Sequence, residues 1–441
     1  MNEKKQVLIL GAGLVTKPGV RYLAEHGFKV TIASRTVSKA MALIEGLEDC
    51  NAREFRINDT NALNKLVKEH DLTISLLPAA HHVEVAKACL ANNKPMVTTS
   101  YVKPEMQALD AEASQKGLLL LNEIGLDPGI DHMSAMKIIH DVSERGGKIL
   151  SFKSYCGGLP APDARTTPWG YKFSWSPRGV VLAGTNAAKY LEKGKTIDIP
   201  GPELFSHHWK VEVPECAVFE AYLNRDSIPY RESYGLHDVT DMLRGTLRYP
   251  GWCDTWKKMV DLGLLSLKEE SNLSKMTYRQ LMADLAGGSD PASCEDAVAE
   301  HLGISKDSEP MNRWRWLGLF SDEQVPDEPT RLDVLSHRLL EKLKYGPGER
   351  DMIVLHHEFT ADFAGKKKHI TSTLVDYGNP DGDSAMSRTV SLPAAIGTRL
   401  LLEGSLKATG VRIPVDKEIY IPVLDELEKL GIHCKETEKD I

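Results

Sequence analysis

The stretch Gln6-Val7-Leu8-Ile9-Leu10-Gly11-Ala12-Gly13-Leu14-Val15-Thr16 decides how the first third of the chain is read. Residues 6–10 form a short β-rich apolar run that passes straight into glycine. Such a run suits a strand buried on both faces, as in a parallel sheet. Gly11 allows a tight turn, and Gly13 lets the backbone approach an anion. The helix that follows would point its N-terminal N–H groups and positive dipole end at a pyrophosphate. Leu14 and Val15 complete the loop. Thr16 stands where a third glycine is usual, so the fingerprint is incomplete. A plain glycine turn is the competing reading. The context favours the nucleotide loop, with a strand before it, a helix after it and a second strand beyond.

Outward from this loop, residues 29–34, 53–57, 72–77, 96–100 and 118–122 also read as strands. Helical spacing separates them at 20–26, 37–47, 83–92 and 104–116. This alternation predicts a parallel sheet with helices on both faces. After Asp127 the rhythm changes. Asp127 or Asp131 can cap a helix running to about Glu144. Strands are expected at 149–156, 196–199 and 209–213, and helices from about 236 to 345, broken at Gly287-Gly288-Ser289. Residues 352–359 and 369–377 read as a hairpin joined by Gly365-Lys366-Lys367-Lys368, and 385–402 and 421–430 as closing helices. The expected class is α/β: a parallel-sheet domain, then an α+β domain carrying a helical insertion, with the C-terminus returning to the first domain.

The 441 residues are 42% hydrophobic and 26% charged, which excludes a disordered, collagen-like or small disulfide-built chain. Lys+Arg of 54 against Asp+Glu of 62 gives a net charge of −8, which argues against nucleic acid as the main partner. The first apolar run is too short for a signal-peptide core, and no 18-residue apolar stretch predicts a membrane span. The seven cysteines are scattered without a CxxC, so neither a zinc ribbon nor a redox pair is expected. A cytoplasmic location follows as the expectation.

The end of the second strand bears on the cofactor. A carboxylate there would bind the ribose hydroxyls of NAD. The sequence instead has Ser34-Arg35-Thr36 with Lys39 nearby and no acid. Arg35 and the two hydroxyls suit a 2′-phosphate, which favours NADP(H) over NAD(H). Arg35 as a solvated strand-end residue or stacked on the adenine is the competing reading. Leu77-Pro78 ends the fourth strand, where backbone groups commonly line a dinucleotide cleft. A simple strand-to-helix turn is nearly as good a reading. No HExxH occurs, and the histidine pairs at 81–82, 207–208 and 356–357 read as satisfied surface or core residues, so no metal is expected.

Residues just beyond the carboxyl ends of parallel strands face the ligand crevice. Ser100 and Tyr101 follow the fifth strand in this way, and Asp127 follows the sixth. Asp127 can bind a substrate ammonium or serve proton transfer; Tyr101 and Cys156 are further candidates, for positioning. A lone cysteine is more often a small core residue.

The run Gly11 to Pro18 resembles the opening of the saccharopine dehydrogenase family, most closely its L-glutamate-forming branch. Further resemblances, in chain order, are Thr99-Ser100-Tyr101-Val102, Glu123-Ile124-Gly125-Leu126-Asp127-Pro128-Gly129-Ile130-Asp131-His132, Tyr155-Cys156-Gly157-Gly158-Leu159-Pro160, Asn224-Arg225-Asp226-Ser227, Gly245-Thr246-Leu247-Arg248-Tyr249, Pro393-Ala394-Ala395-Ile396 and Lys417-Glu418-Ile419-Tyr420. The resemblance implies a variant Rossmann domain over 1–128, completed by about 390–441. It implies an α+β substrate and dimerisation domain over 129–235 and 346–389, and a helical domain over 236–345. The implied reaction is reductive condensation of glutamate with 2-aminoadipate semialdehyde to saccharopine, or its reversal, in lysine metabolism. Arg225 and Arg248 would hold substrate carboxylates, with Thr246, Leu247 and Leu126 as neighbouring contacts. The likeness also implies a homodimer. Three other readings stay open: NAD-linked saccharopine oxidation in lysine degradation, a carboxynorspermidine-type imine reductase, and a silent NADP-binding scaffold.

Overall fold

The computed structural model describes residues 4–288 and 290–441. Ser289, the end of the expected Gly-Gly-Ser break, lies outside the described residues. The chain forms two compact units. One takes the chain up to Gly147 together with Gly382–Glu436; the other takes Lys148–Asp381 and Thr437–Ile441.

In chain order the first unit opens with β1 (Gln6–Leu10), α1 (Lys17–Glu25), β2 (Lys29–Ser34), α2 (Val37–Ile44), β3 (Cys50–Glu54), α3 (Thr60–Glu69), β4 (Leu72–Ser75), α4 (His82–Ala91), β5 (Met96–Thr98), α5 (Pro104–Gln107), α6 (Asp110–Gln115), β6 (Leu119–Leu121) and α7 (Ile130–Glu144). The second unit supplies β7 (Lys148–Pro160), α8 (Pro177–Ala183), β8 (Ala188–Glu192), β9 (Lys195–Ile199), β10 (His208–Val213), β11 (Ala217–Leu223), α9 (Pro229–Ser233), β12 (Asp241–Arg248), α10 (Trp252–Asp261), α11 (Tyr278–Leu285), α12 (Cys294–His301), α13 (Glu309–Leu317), α14 (Arg331–Lys342), β13 (Asp351–Phe363) and β14 (Lys366–Tyr377). The chain then returns with α15 (Ala385–Leu402), β15 (Gly410–Arg412) and α16 (Lys417–Lys429), and ends in β16 (Lys435–Asp440).

The first sheet has seven strands in the order β15-β6-β5-β4-β1-β2-β3, every pair parallel. The order reverses between β1 and β4, the place where open α/β sheets bind ligands. Val7, Leu8, Ile9 and Leu10 are all buried, as a central strand requires. The C-terminal segment joins this unit twice. β15 extends the sheet beside β6, and α15 lies along α1, where the Gly19 N–H donates to Ser391 Oγ at 3.0 Å. This is the Rossmann-type parallel sheet that the alternation predicted.

The second sheet has nine strands and is mixed. β7 pairs antiparallel with β13 and parallel with β12, and β13 and β14 form a long hairpin. One continuous core joins sheet residues such as Leu159, Phe219 and Leu247 to helix residues such as Trp252, Trp256, Trp314 and Leu335.

Several expectations need correction. Residues 241–248 are strand, not helix. The third strand is Cys50–Glu54 rather than 53–57, and 104–116 holds two short helices. The hairpin turns at Ala364-Gly365, so Lys366, Lys367 and Lys368 lie in the strand. Neither Asp127 nor Asp131 is the N-cap of α7; Gly129 is. No helix among the described residues is long and apolar enough to cross a membrane.

Candidate active site

Gly11 sits directly after β1 with φ +114°, and its N–H donates to Ala33 O of β2 at 2.9 Å. A Cβ at Gly11 would meet Leu76 O at 2.9 Å, so only glycine lets β1 turn against the end of β4. At Gly13 a Cβ would meet nothing within 4 Å, which leaves open space over the exposed turn. Leu14 is 67% exposed and Val15 half-buried. Thr16 is buried at the N-cap of α1, and its Oγ1 accepts the Gly13 N–H at 3.1 Å. A threonine in place of the third glycine therefore stiffens the loop from within.

At the end of β2, Ser34 is half-buried and Arg35 and Thr36 are exposed. Thr36 is the N-cap of α2 but makes no side-chain cap bond, and the first turn of α2 carries no acid. Arg35 makes no hydrogen bond or ion pair among the described residues. An uncapped helix start beside an unpaired guanidinium and two hydroxyls suits a phosphate. Leu77 packs on the core, and Pro78 precedes the single turn Ala79–His81. These features fit an NADP(H) site.

The ends of β4 and β5 are tied by His82 at the start of α4. Its Nδ1 lies 2.9 Å from Ser75 Oγ and its Nε2 lies 2.8 Å from Ser100 Oγ. Burial, with His81 and Lys103 nearby, pushes its pKa down to about 4, so the ring is neutral near pH 7. Unfolding restores the usual value near 6.5, so the unfolded chain binds a proton that the folded chain refuses between about pH 6.5 and 4. Stability therefore falls as pH drops through that window, by up to about 3 kcal/mol. Denaturant unfolding at pH 7.5 and 4.5 checks this; a His82→Asn chain should lose that component of the pH dependence.

Beyond β5 and β6 the structure brings together two residues singled out from sequence. Tyr101 Oη donates to Asp127 Oδ1 at 2.8 Å, and both side chains are half-buried. Ser100, next to Tyr101 in the chain, is bonded to His82. Leu126, just before Asp127, is buried. Sequence reasoning gave no site role to three neighbouring residues, Glu123, Asp131 and His132, buried at 4%, 1% and 0% exposure. Their signal was available, because charged and imidazole side chains within a run as rich in apolar residues as 118–138 must be paired if they are buried.

The second unit holds the other candidates. Cys156 is buried on β7, in register with Thr246 of β12. Leu247 is fully buried, and Gly157 leaves room for it. Arg225 is exposed with φ +59°, in a turn pinned by Asn224 N–H to Arg244 O and Lys189 N–H to Arg225 O. Arg248 is buried. Its guanidinium lies over Tyr171 at 5.1 Å, Trp252 at 5.2 Å and Tyr222 at 5.9 Å, and its Nη1 donates to Leu247 O at 2.8 Å. Its Nε has no partner among the described residues, and neither has Trp252 Nε1. Arg248 ends β12, and Arg225 lies in the turn after β11. Glu220 faces Arg248 and Leu223 faces Gly245. Arg225 follows two residues after Leu223, the end of β11, outside the β11–β12 pairing. A cavity of about 260 Å³ near Gly184, Gly201 and Gly263 includes none of these residues. No group of three or more His, Cys, Asp or Glu among the described residues could hold a metal ion.

A family model described as the saccharopine dehydrogenase NADP binding domain matches residues 7–121, and one described as the saccharopine dehydrogenase C-terminal domain matches residues 125–432. Saccharopine dehydrogenase (NADP(+), L-glutamate-forming) of Pyricularia oryzae is 41% identical over 98% of this chain and 98% of its own. The protein of that name in Saccharomyces cerevisiae is 39% identical over 98% and 99%. The solved structure of apo histidine-tagged saccharopine dehydrogenase (L-Glu forming) from Saccharomyces cerevisiae matches 99% of this chain and 100% of that one, with a TM-score of 0.89 and 37% identity. The chain belongs to the saccharopine dehydrogenase family.

Proposed function

We propose that the chain interconverts L-saccharopine with L-glutamate and L-2-aminoadipate 6-semialdehyde, using NADP(H), in lysine metabolism. The observation that carries this reading is the Tyr101–Asp127 hydrogen bond beyond the ends of β5 and β6, on the same unit as the nucleotide loop. Condensation of the glutamate amine with the aldehyde forms a carbon–nitrogen double bond and expels water. Hydride addition to that carbon gives the secondary amine of saccharopine. When bound, NADP(H) supplies or accepts this hydride. Asp127 Oδ1 and Tyr101 Oη offer an acceptor and a donor for the protons that carbinolamine loss and imine hydrolysis exchange at nitrogen and oxygen. Such a pair contributes about 10²–10⁴ in rate where it takes part directly. Arg225 and Arg248 hold carboxylates of the substrate, with Thr246 and Leu247 as neighbouring contacts; Ser100 stands next to Tyr101 in the chain. Cys156 packs rather than reacts. The homodimer rests on the family resemblance, and the cytoplasmic location on the scattered cysteines that form no CxxC.

The test is reduced-cofactor formation from L-saccharopine with NADP⁺ and NAD⁺ in parallel, with glutamate identified among the products. Turnover favouring NADP⁺ is expected. Turnover favouring NAD⁺ would overturn the cofactor assignment, and no turnover in nucleotide-binding protein would overturn the substrate. Arg35→Ala should weaken NADPH binding about 10–100-fold, the worth of charge-assisted hydrogen bonds to one phosphate, and leave NADH binding little changed. Equal losses for the two nucleotides in a fluorescence titration would sink the 2′-phosphate role.

A further inference from the structure

We infer that Glu123, His132 and Asp131 are positioning residues that hold the Tyr101–Asp127 pair from below; this rests on the proposed function only in assigning that pair to the reaction. Glu123 follows β6 with φ +55°, and its two ends bracket Tyr101. Its N–H donates to Ser100 O at 3.2 Å, and its Oε1 accepts the Val102 N–H at 2.8 Å. The residues before and after Tyr101 are thus fixed by one side chain and its own backbone. Asp131 brackets Asp127 in the same manner. Its N–H donates to Leu126 O at 3.0 Å, and its Oδ1 accepts the Gly129 N–H at 2.6 Å. His132 joins the two brackets: Nε2 lies 2.8 Å from Glu123 Oε2, and Nδ1 lies 3.8 Å from Asp131 Oδ2.

Two carboxylates buried this deeply are costly unless their bonds are complete, so each is spent on fixing a backbone. A purely structural use would need only that the carboxylates be satisfied. Here the carboxylates take the Val102 and Gly129 N–H groups, while the backbone N–H groups of the same two residues reach Ser100 O and Leu126 O, so all four contacts flank the ends of the Tyr101–Asp127 hydrogen bond. A shift of either loop by about 1 Å would misplace that pair, and misplacement of this size costs about 10²-fold in rate.

The test uses the full chain labelled with carbon-13 at tyrosine Cζ, the Tyr101 resonance being assigned by its loss in Tyr101→Phe. Glu123→Ala should move that resonance towards the position of solvated tyrosine. It should lower kcat for saccharopine about 10–100-fold while changing KM less. In a Tyr101→Phe background the same change should cost almost nothing further, because residues acting as one unit are not additive. Glu123→Gln keeps an oxygen for the Val102 N–H but loses the acceptor facing His132, so its resonance and kcat should lie between. If Glu123→Ala does not fold, Glu123→Gln against the native chain decides. An unmoved Tyr101 resonance in the folded variants, or fully additive losses in kcat, overturns the inference. If the native chain does not turn over saccharopine, the proposed function falls and the resonance alone judges the positioning.

Discussion

Gly129→Ala is expected to destabilise the chain by about 4 kcal/mol or more and to remove saccharopine turnover, the largest effect of any single methyl added here. Gly129 has φ +148°, and a Cβ there would lie 2.0 Å from Gly125 O and 2.2 Å from Gly125 N. No side-chain rotation relieves a clash with backbone. The turn would have to open, and it is crossed by Gly125 N–H to Pro128 O, Ile130 N–H to Gly125 O and Asp131 N–H to Leu126 O. Those bonds start α7 and present Asp127, so stability and chemistry fail together. Gly13→Ala is the matched control, because nothing lies within 4 Å of its added Cβ. It should melt close to the native chain and lose only nucleotide affinity. A Gly129→Ala protein with native thermal unfolding would refute this account of the turn.

The parallel sheet was legible in the sequence because its central strands are buried on both faces and read as unbroken apolar runs, as at Val7–Leu10 and Leu119–Leu121. Strands without that signature were missed. β16 is Lys-Glu-Thr-Glu-Lys-Asp, exposed along its length, and its charges suit an edge strand rather than a core. β12 hides for the opposite reason. Arg244 and Arg248 are buried in it, so polar residues occupy positions where a pattern reader expects apolar ones. β3 was placed too late because Phe55 and Ile57 pull the apolar pattern past an exposed edge strand.

The site divides along the same line. Ser100, Tyr101 and Asp127 were found by a topological rule, that residues beyond the ends of parallel strands face the crevice. Glu123 also lies just past β6, but Asp131 and His132 belong to α7, where that rule does not reach. All three stand in the sequence among the few charged and imidazole residues of a largely apolar stretch, but which backbone groups they reach is decided only when the two loops meet. His82 was read as a satisfied histidine. It is satisfied, and the identity of its partners, Ser75 and Ser100, is the fact that only the fold supplies.

Arg248→Met should change the unfolding free energy by no more than about 2 kcal/mol yet raise KM for saccharopine at least about 30-fold. The two halves of this expectation come from one observation. The guanidinium is always charged and is buried against Tyr171, Tyr222 and Trp252 with no carboxylate ion pair among the described residues. Its rings return about 0.5–2 kcal/mol each, which offsets a burial cost of several kcal/mol. Methionine of similar length fills the space without that cost, so the fold loses little. The Nε donor left without a partner is what an incoming carboxylate would satisfy, and removing one member of a buried charge pair costs about 2–5 kcal/mol of binding. Arg225 is exposed in its turn, and its charge is screened by water, so Arg225→Ala should raise KM only about fivefold. A structural Arg248 predicts the reverse pattern, a loss of 3 kcal/mol or more in unfolding with KM unchanged. Measuring urea midpoints beside saccharopine kinetics on Arg248→Met separates the two, because a ligand-holding arginine and a core-holding arginine cannot both be spared by the same substitution.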